Sequence, residues 1–199
     1  ADALGLHLLD AASNQRLVEL EVGDAVTQQA ADAVVLLEHG DVVADARQLE
    51  QNLAYLQLAQ AEGATLIEGG ERLQLESDGY YMRPALFIDS RNDMRINREE
   101  VFGPIACVIR VRDFEEALAT LNDTEYGLTA GIITQSLRHA SHFKRRAQTG
   151  CVMVNLPTAG TDYHVPFGGR GDSSYGPREQ GRSAVEFYTH VKTGYIAAG

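Results

Sequence analysis

The run Glu99-Glu100-Val101-Phe102-Gly103-Pro104 gathers residue types suited to holding a small ligand. A carboxylate stands two residues before an aromatic ring. Gly-Pro then closes the run as a rigid turn, which presents both groups on one side. A carboxylate accepts hydrogen bonds from a sugar diol, and an aromatic ring packs on a flat heteroaromatic base. The same six residues also suit a plain surface turn, and the run alone does not separate the two readings.

Other reactive side chains carry less. Cys107 and Cys151 lie far apart, each inside an apolar run and neither in a metal-like pair, so both read as buried free thiols of a reducing cytoplasm. His139 and His142 stand three apart on a predicted helix, a spacing compatible with metal ligation. With no third ligand in view, they read as surface or partly buried histidines. Lys144-Arg145-Arg146 suits the last turn of that helix, where positive charge complements the dipole. Ser173-Ser174 has no evident histidine-acid partner, which leaves hydrolase chemistry unsupported. Arg170-Gly171-Asp172 reads as a coincidental loop sequence. No Gly-x-Gly-x-x-Gly follows a strand anywhere in the chain.

The elements that must position these groups sharpen from Asp45 onward. Asp45 caps a helix in which Leu49, Leu53, Leu56 and Ala59 recur at helical spacing until Glu62-Gly63 stops it. Residues 65–67 form a short strand. Residues 80–88 are extended, with Pro84 arguing for an edge or irregular position. Residues 105–111 form a strand, Asp113 opens a helix, residues 128–134 form a strand, Ser136 caps a helix to Ala147, and residues 151–154 form a strand. This strand-helix alternation predicts an α/β fold with a mostly parallel sheet and flanking helices. A Gly-rich loop spans 157–176, a helix starts at Pro177 and runs to about Tyr188, and residues 189–197 end the chain as a strand. The first forty residues are the least regular, with two short strands expected around a turn at residues 38–41.

The 199 residues suit one compact domain. A net charge of −11 repels phosphate backbones and argues against nucleic acid. No apolar run approaches the roughly 20 residues of a membrane helix. The first residues have no basic region of the kind a signal peptide carries, and the chain has no initiator Met, so it reads as processed, excised or incomplete.

Several motifs, in order, carry a resemblance. They are the Glu99–Pro104 run, Asn122-Asp123-Thr124-Glu125-Tyr126-Gly127-Leu128-Thr129-Ala130-Gly131, Val152-Met153-Val154-Asn155, Pro166-Phe167-Gly168-Gly169, Ser174-Tyr175-Gly176-Pro177-Arg178-Glu179, Glu186-Phe187-Tyr188 and Lys192-Thr193. Together they resemble the carboxy-terminal half of the NAD(P)-dependent aldehyde dehydrogenase superfamily, from about Asp45 to Ile196. Asn155-Leu156-Pro157-Thr158-Ala159-Gly160, Asp162-Tyr163-His164-Val165-Pro166 and Tyr175-Gly176-Pro177-Arg178-Glu179-Gln180-Gly181 look like the 2-oxoglutarate semialdehyde (2,5-dioxovalerate) dehydrogenase branch.

The resemblance implies roles. Glu100 would hold the nicotinamide ribose, and Phe102 would pack against the nicotinamide. Leu156, Pro157 and Phe167 would lie on the lip or wall of the aldehyde pocket. Residues 189–199 would form the oligomerisation strand and tail, 45–188 part of the catalytic domain, and 1–44 an atypical segment with a longer, apolar link at 30–41 than the family pattern has. In this family a cysteine thiolate attacks the aldehyde, hydride leaves to NAD(P)+, and a glutamate-activated water releases the acid. The nucleophile's Gly-Gln-x-Cys stretch is not in this sequence, and Cys107 and Cys151 fall at structural positions of the pattern. The general base, the oxyanion-stabilising asparagine and the dinucleotide-binding fold would precede Ala1. No residue here is therefore expected to be catalytic, and no metal is expected.

Two functions follow. The first is a truncated or split aldehyde dehydrogenase, inactive and cofactor-free alone, completed by a complementary or full-length chain. The second is a non-catalytic module acting through homo-oligomerisation or docking onto a full-length enzyme. Both place it in the cytoplasm, away from membranes and nucleic acid.

Overall fold

A computed structural model describes residues 15–20, 41–76, 78–158 and 160–199. The expected strand at 34–37 and the apolar stretch at 30–37 lie outside the described residues. Strand β1 (Gln15–Leu20) is followed by β2 (Asp41–Val42) and helix α1 (Ala46–Ala61). Four short strands come next: β3 (Thr65–Glu68), β4 (Arg72–Leu73), β5 (Tyr81–Met82) and β6 (Ala85–Ile88). The single turn α2 (Arg95–Arg98) leads to β7 (Ile105–Val111), α3 (Phe114–Asn122), β8 (Thr129–Ile132), α4 (Leu137–Arg146), β9 (Cys151–Val154) and α5 (Gly181–Phe187).

Three helices start where a short oxygen-bearing side chain satisfies an orphan backbone donor. Asp45 accepts from Gln48 N at 2.8 Å, Asp113 from Glu116 N at 2.8 Å, and Ser136 from His139 N at 3.3 Å. Each such cap contributes about 1 kcal/mol. Pro84 sits in the break between β5 and β6, where no ladder donor is required of it.

The main sheet has the order β1-β7-β6-β3, with β1 and β6 both parallel to β7 and β3 antiparallel to β6. A small antiparallel meander, β2-β5-β4, stands beside it. Strands β8 and β9 pair in parallel with each other, joined through α4. The expected βαβ unit is therefore present at β8-α4-β9. The expected continuation from β7 to β8 is not, because β1 and β6 already occupy both edges of β7.

One face of β7 serves two apolar cores. Ile105 and Cys107 pack with Leu49, Leu56, Met82, Phe87, Met94 and Val101 under α1. Ile109 and Val111 pack with Phe114, Leu118, Leu121, Ile132 and Phe143 between α3, α4 and β8. Val108, on the opposite face, packs with Leu86.

One expectation for the carboxy-terminal end is corrected. The helix begins at Gly181 rather than Pro177, because Glu179 spends its backbone on a bridge with Phe167, with both N–H···O distances 2.8 Å. Residues 189–199 carry no ladder in this single chain, and all are exposed. A strand needs a neighbour for its hydrogen bonds, and none of the described residues supplies one. No helix among the described residues is long and apolar enough to cross a membrane.

Candidate functional site

The Glu99–Pro104 turn lies between α2 and β7 and packs on α1. Its two carboxylates are treated differently. Glu99 accepts from Arg95 Nε at 2.7 Å, from Arg95 Nη2 at 3.1 Å and from the Tyr55 hydroxyl at 2.6 Å. The Arg95 guanidinium, and after it the Tyr55 hydroxyl, hold Glu99 below the usual carboxylate range. Burial and then the bond to Glu99 push Tyr55 up to about 12. Beside this cluster α1 and Arg95 line an open cleft of about 460 Å³, with Gln51, Ala54, Tyr55 and Leu58 on its walls.

Glu100 is half-buried, and no side-chain hydrogen bond or ion pair ties it to another described residue. Phe102 is 57% exposed, yet its backbone stands at φ +53, a conformation that costs a residue with a Cβ roughly 1–2 kcal/mol. A ring in water at a strained position gains nothing from core packing. Its presentation therefore has to be held by neighbours. Gln48 does so, donating from Nε2 to Val101 O at 2.8 Å and to Phe102 O at 3.1 Å.

The second part of the site is the loop after β9. Asn155, at φ +56, ends the strand and exchanges two side-chain bonds with Thr134, accepting from its N at 2.8 Å and donating to its O at 2.9 Å. Leu156 and Pro157 are exposed, Leu156 at 64%, while Thr158 is buried. Phe167 is half-buried and fixed by the bridge to Glu179.

Beyond Phe167 the loop is pinned by close backbone approach. Gly127 O accepts from Gly150 N and from Arg170 N, both at 2.9 Å, while Gly127 N donates to Ser173 Oγ at 3.0 Å. A Cβ on Gly150 would meet Gly168 O at 1.7 Å, so only glycine fits there. The Arg170-Gly171-Asp172 sequence is part of this docking, with Asp172 N donating to Glu125 O at 2.9 Å. Burial raises the pKa of Tyr126, and so do the carboxylates of Glu100, Asp172, Glu125 and Glu99.

Glu100 and Phe102 thus share one turn, as expected, and Phe167 heads the loop docked beside Tyr126. No hydrogen bond or ring contact among the described residues joins Phe102 to Leu156, Pro157 or Phe167. Gln48, Asn52, Tyr55 and Arg95 were not singled out from the sequence. The available signal was Asn52, a polar residue on the apolar stripe of α1, three after Leu49 and four before Leu56.

The remaining reactive groups sit elsewhere. Cys107 is buried in β7, and Cys151 is half-buried with Sγ 4.0 Å from Gly168 O. His139 stacks on Phe114 at 4.6 Å, and His142 Nδ1 lies 3.6 Å from Glu115. Among the described residues no three His, Cys, Asp or Glu side chains gather to hold a metal ion.

The model of the aldehyde dehydrogenase family matches residues 11–194. An alpha-ketoglutarate semialdehyde dehydrogenase of Haloferax volcanii is 46% identical over 151 residues, which is 74% of this chain and 31% of that protein. An alpha-ketoglutaric semialdehyde dehydrogenase of Bacillus subtilis is 38% identical over 156 residues, 77% of this chain and 32% of that protein. Among solved structures, the indole-3-acetaldehyde dehydrogenase AldA of P. syringae, in complex with NAD+ and IAA, superposes with a TM-score of 0.84 at 32% identity. The superposition covers 92% of this chain and 39% of that one. The aldehyde dehydrogenase KauB from Pseudomonas aeruginosa gives 0.84 at 33% identity, over 91% of this chain and 38% of that one. The chain spans about a third of the length of the curated relatives it matches. With these matches and this architecture, the chain belongs to the aldehyde dehydrogenase family.

Proposed function

We propose that this chain is the carboxy-terminal part of an NAD(P)-dependent aldehyde dehydrogenase catalytic unit. Its parent reaction oxidises an aldehyde, 2-oxoglutarate semialdehyde, to the acid. The observation that carries this reading is the Glu99–Pro104 turn, where one carboxylate is engaged by the fold and its neighbour Glu100 has no side-chain hydrogen bond or ion pair to another described residue, beside an exposed, backbone-strained Phe102. A carboxylate and a ring presented in this way fit a ribose diol and a flat heteroaromatic ring.

NAD or NADP, when bound, supplies the hydride acceptor. Glu100 would hold its ribose and Phe102 would pack on its nicotinamide. Leu156, Pro157 and Phe167 would shape the aldehyde entrance. On this reading the thiolate nucleophile and the dinucleotide-binding fold belong to other parts of the catalytic unit, and the 199-residue chain alone binds no cofactor and turns over no aldehyde. Residues 189–199 pair with a neighbouring copy or with a full-length enzyme.

The test is reconstitution. The mass-verified chain is mixed with a polypeptide supplying the rest of the unit, and aldehyde-dependent NAD(P)H formation is followed. Activity only in the mixture supports the reading. Turnover by the chain alone, or an inactive mixture of folded pieces, overturns it.

A second reading, a non-catalytic oligomerisation or docking module, draws on the solvent-exposed Val185, Tyr188, Val191, Tyr195 and Ile196. Sedimentation of the pure chain decides it. Self-association without complementation of activity favours the module, and a monomer that binds no full-length family enzyme removes it.

A further inference from the structure

The turn bearing Glu100 and Phe102 is held by a pair of amides on α1. Gln48 Nε2 donates to Val101 O and Phe102 O, and a third contact reaches Asn52 Oδ1 at 2.9 Å. Because Gln48 faces two carbonyls with this atom, it must be the nitrogen. Its two hydrogens are met by those carbonyls, and in the opposite orientation Asn52 itself donates to Val101 O at 3.2 Å and to Gln48 O at 3.3 Å, so Asn52 bonds either Gln48 or the turn directly. Asn52 is fully buried, and a Cβ on Gly103 would lie 2.5 Å from its Cγ. The amide therefore fills the space that a glycine leaves open.

We infer that Gln48 and Asn52 form a positioning clamp that sets the direction in which the Phe102 ring and the Glu100 carboxylate leave the turn. Val101 O and Phe102 O belong to the two peptide planes that flank the Phe102 Cα. Fixing both planes fixes the φ and ψ of Phe102, which lies in the left-handed region at φ +53. Unheld, a residue with a Cβ relaxes towards negative φ and turns its ring away. A buried amide on an apolar stripe is costly unless it is hydrogen-bonded, whereas leucine would pack there without that cost. What Asn52 adds is a second polar contact in the clamp, to Gln48 or to Val101 O. The consequence for cofactor binding rests on the function proposed above. The clamp itself does not.

The experiment uses the full chain, labelled with 15N, and the variant Gln48→Met, which keeps side-chain length and removes the donor. Amide hydrogen exchange is compared at Ile105, whose N–H donates to Gly103 O inside the turn, and at Asn155, whose N–H donates to Ile132 O far from it. Exchange at Ile105 is expected to accelerate about tenfold relative to Asn155. Phe102→Gly added to Gln48→Met should restore protection at Ile105, since glycine accepts positive φ without strain. Equal acceleration at both amides, no change at either, or no recovery with glycine overturns the clamp. Should Gln48→Met not fold, Asn52→Ser is read by the same two amides and the same criteria.

In the reconstituted enzyme, Gln48→Met should raise the KM for NAD+ while leaving kcat little changed. A wild-type mixture that fails to take up NAD+ would sink the proposed function, and the exchange ratios would still decide the clamp.

Discussion

The Glu99–Pro104 turn and the carboxy-terminal tail both put apolar side chains into water, but by opposite means. Phe102 is exposed on a backbone locked from beneath by Gln48, while Glu99 is engaged by Arg95 and Tyr55. Val191, Tyr195 and Ile196 are 96–100% exposed on residues that belong to no strand or helix. The turn is a geometry completed inside this chain. The tail is a sequence suited to pairing, and no described residue pairs with it. Substitutions in the first should therefore alter the fold of the isolated chain, and substitutions in the second should alter only association.

Four measurements sharpen that contrast. Gly103→Ala drives a Cβ into Asn52 and should cost about 1–3 kcal/mol in denaturant unfolding, because a packed interior yields little to an extra methyl. Asp45→Ala removes the cap of the helix that carries Gln48 and Asn52, and should cost about 1 kcal/mol in the same assay.

The third measurement is the pH profile. Tyr55 is raised to about 12, so its contribution is complete below its ordinary value near 10 and is lost as pH climbs through 12. Glu99 is depressed, so its contribution is present above the usual carboxylate value and is lost as pH falls through the lowered one. Tyr55→Phe should remove the Tyr55 share of the alkaline loss, leaving that of Tyr126, and diminish the acidic one, as read by thermal denaturation across pH. The Glu99 side chain is 38% exposed, so solvent screening keeps the acidic effect small. The smallest stability effect is expected of Ile196→Asp, within about 0.5 kcal/mol in dilute solution. The same substitution should abolish whatever self-association sedimentation detects.

The sequence carried the fold where local chemistry decides it. Asp45, Asp113 and Ser136 announce their helices because an N-cap acts within three residues. It misled where the decision is long-range. Nothing near residues 129–132 says that both edges of β7 are already taken by strands from residues 15–20 and 85–88. Pro177 is a good helix opener in isolation, but the bridge between Glu179 and Phe167, twelve residues away, outweighs it.

The site shows the same division. Glu100 and Phe102 were legible because they share a six-residue run. Gln48 and Tyr55, which act on the turn from 53 and 44 residues away, were not. Asn52, misplaced on an apolar stripe, was the one local hint of them.

The position of β7 has a consequence for how the molecule comes apart. Its Ile105 and Cys107 belong to one core and its Ile109 and Val111 to the other, so the strand is a single beam shared by two rooms. Neither core can lose its packing without loosening a strand that the other needs. Heat should then melt both together, in one calorimetric peak whose van't Hoff and measured enthalpies agree. The two halves of this chain, divided by their cores, are joined in their unfolding.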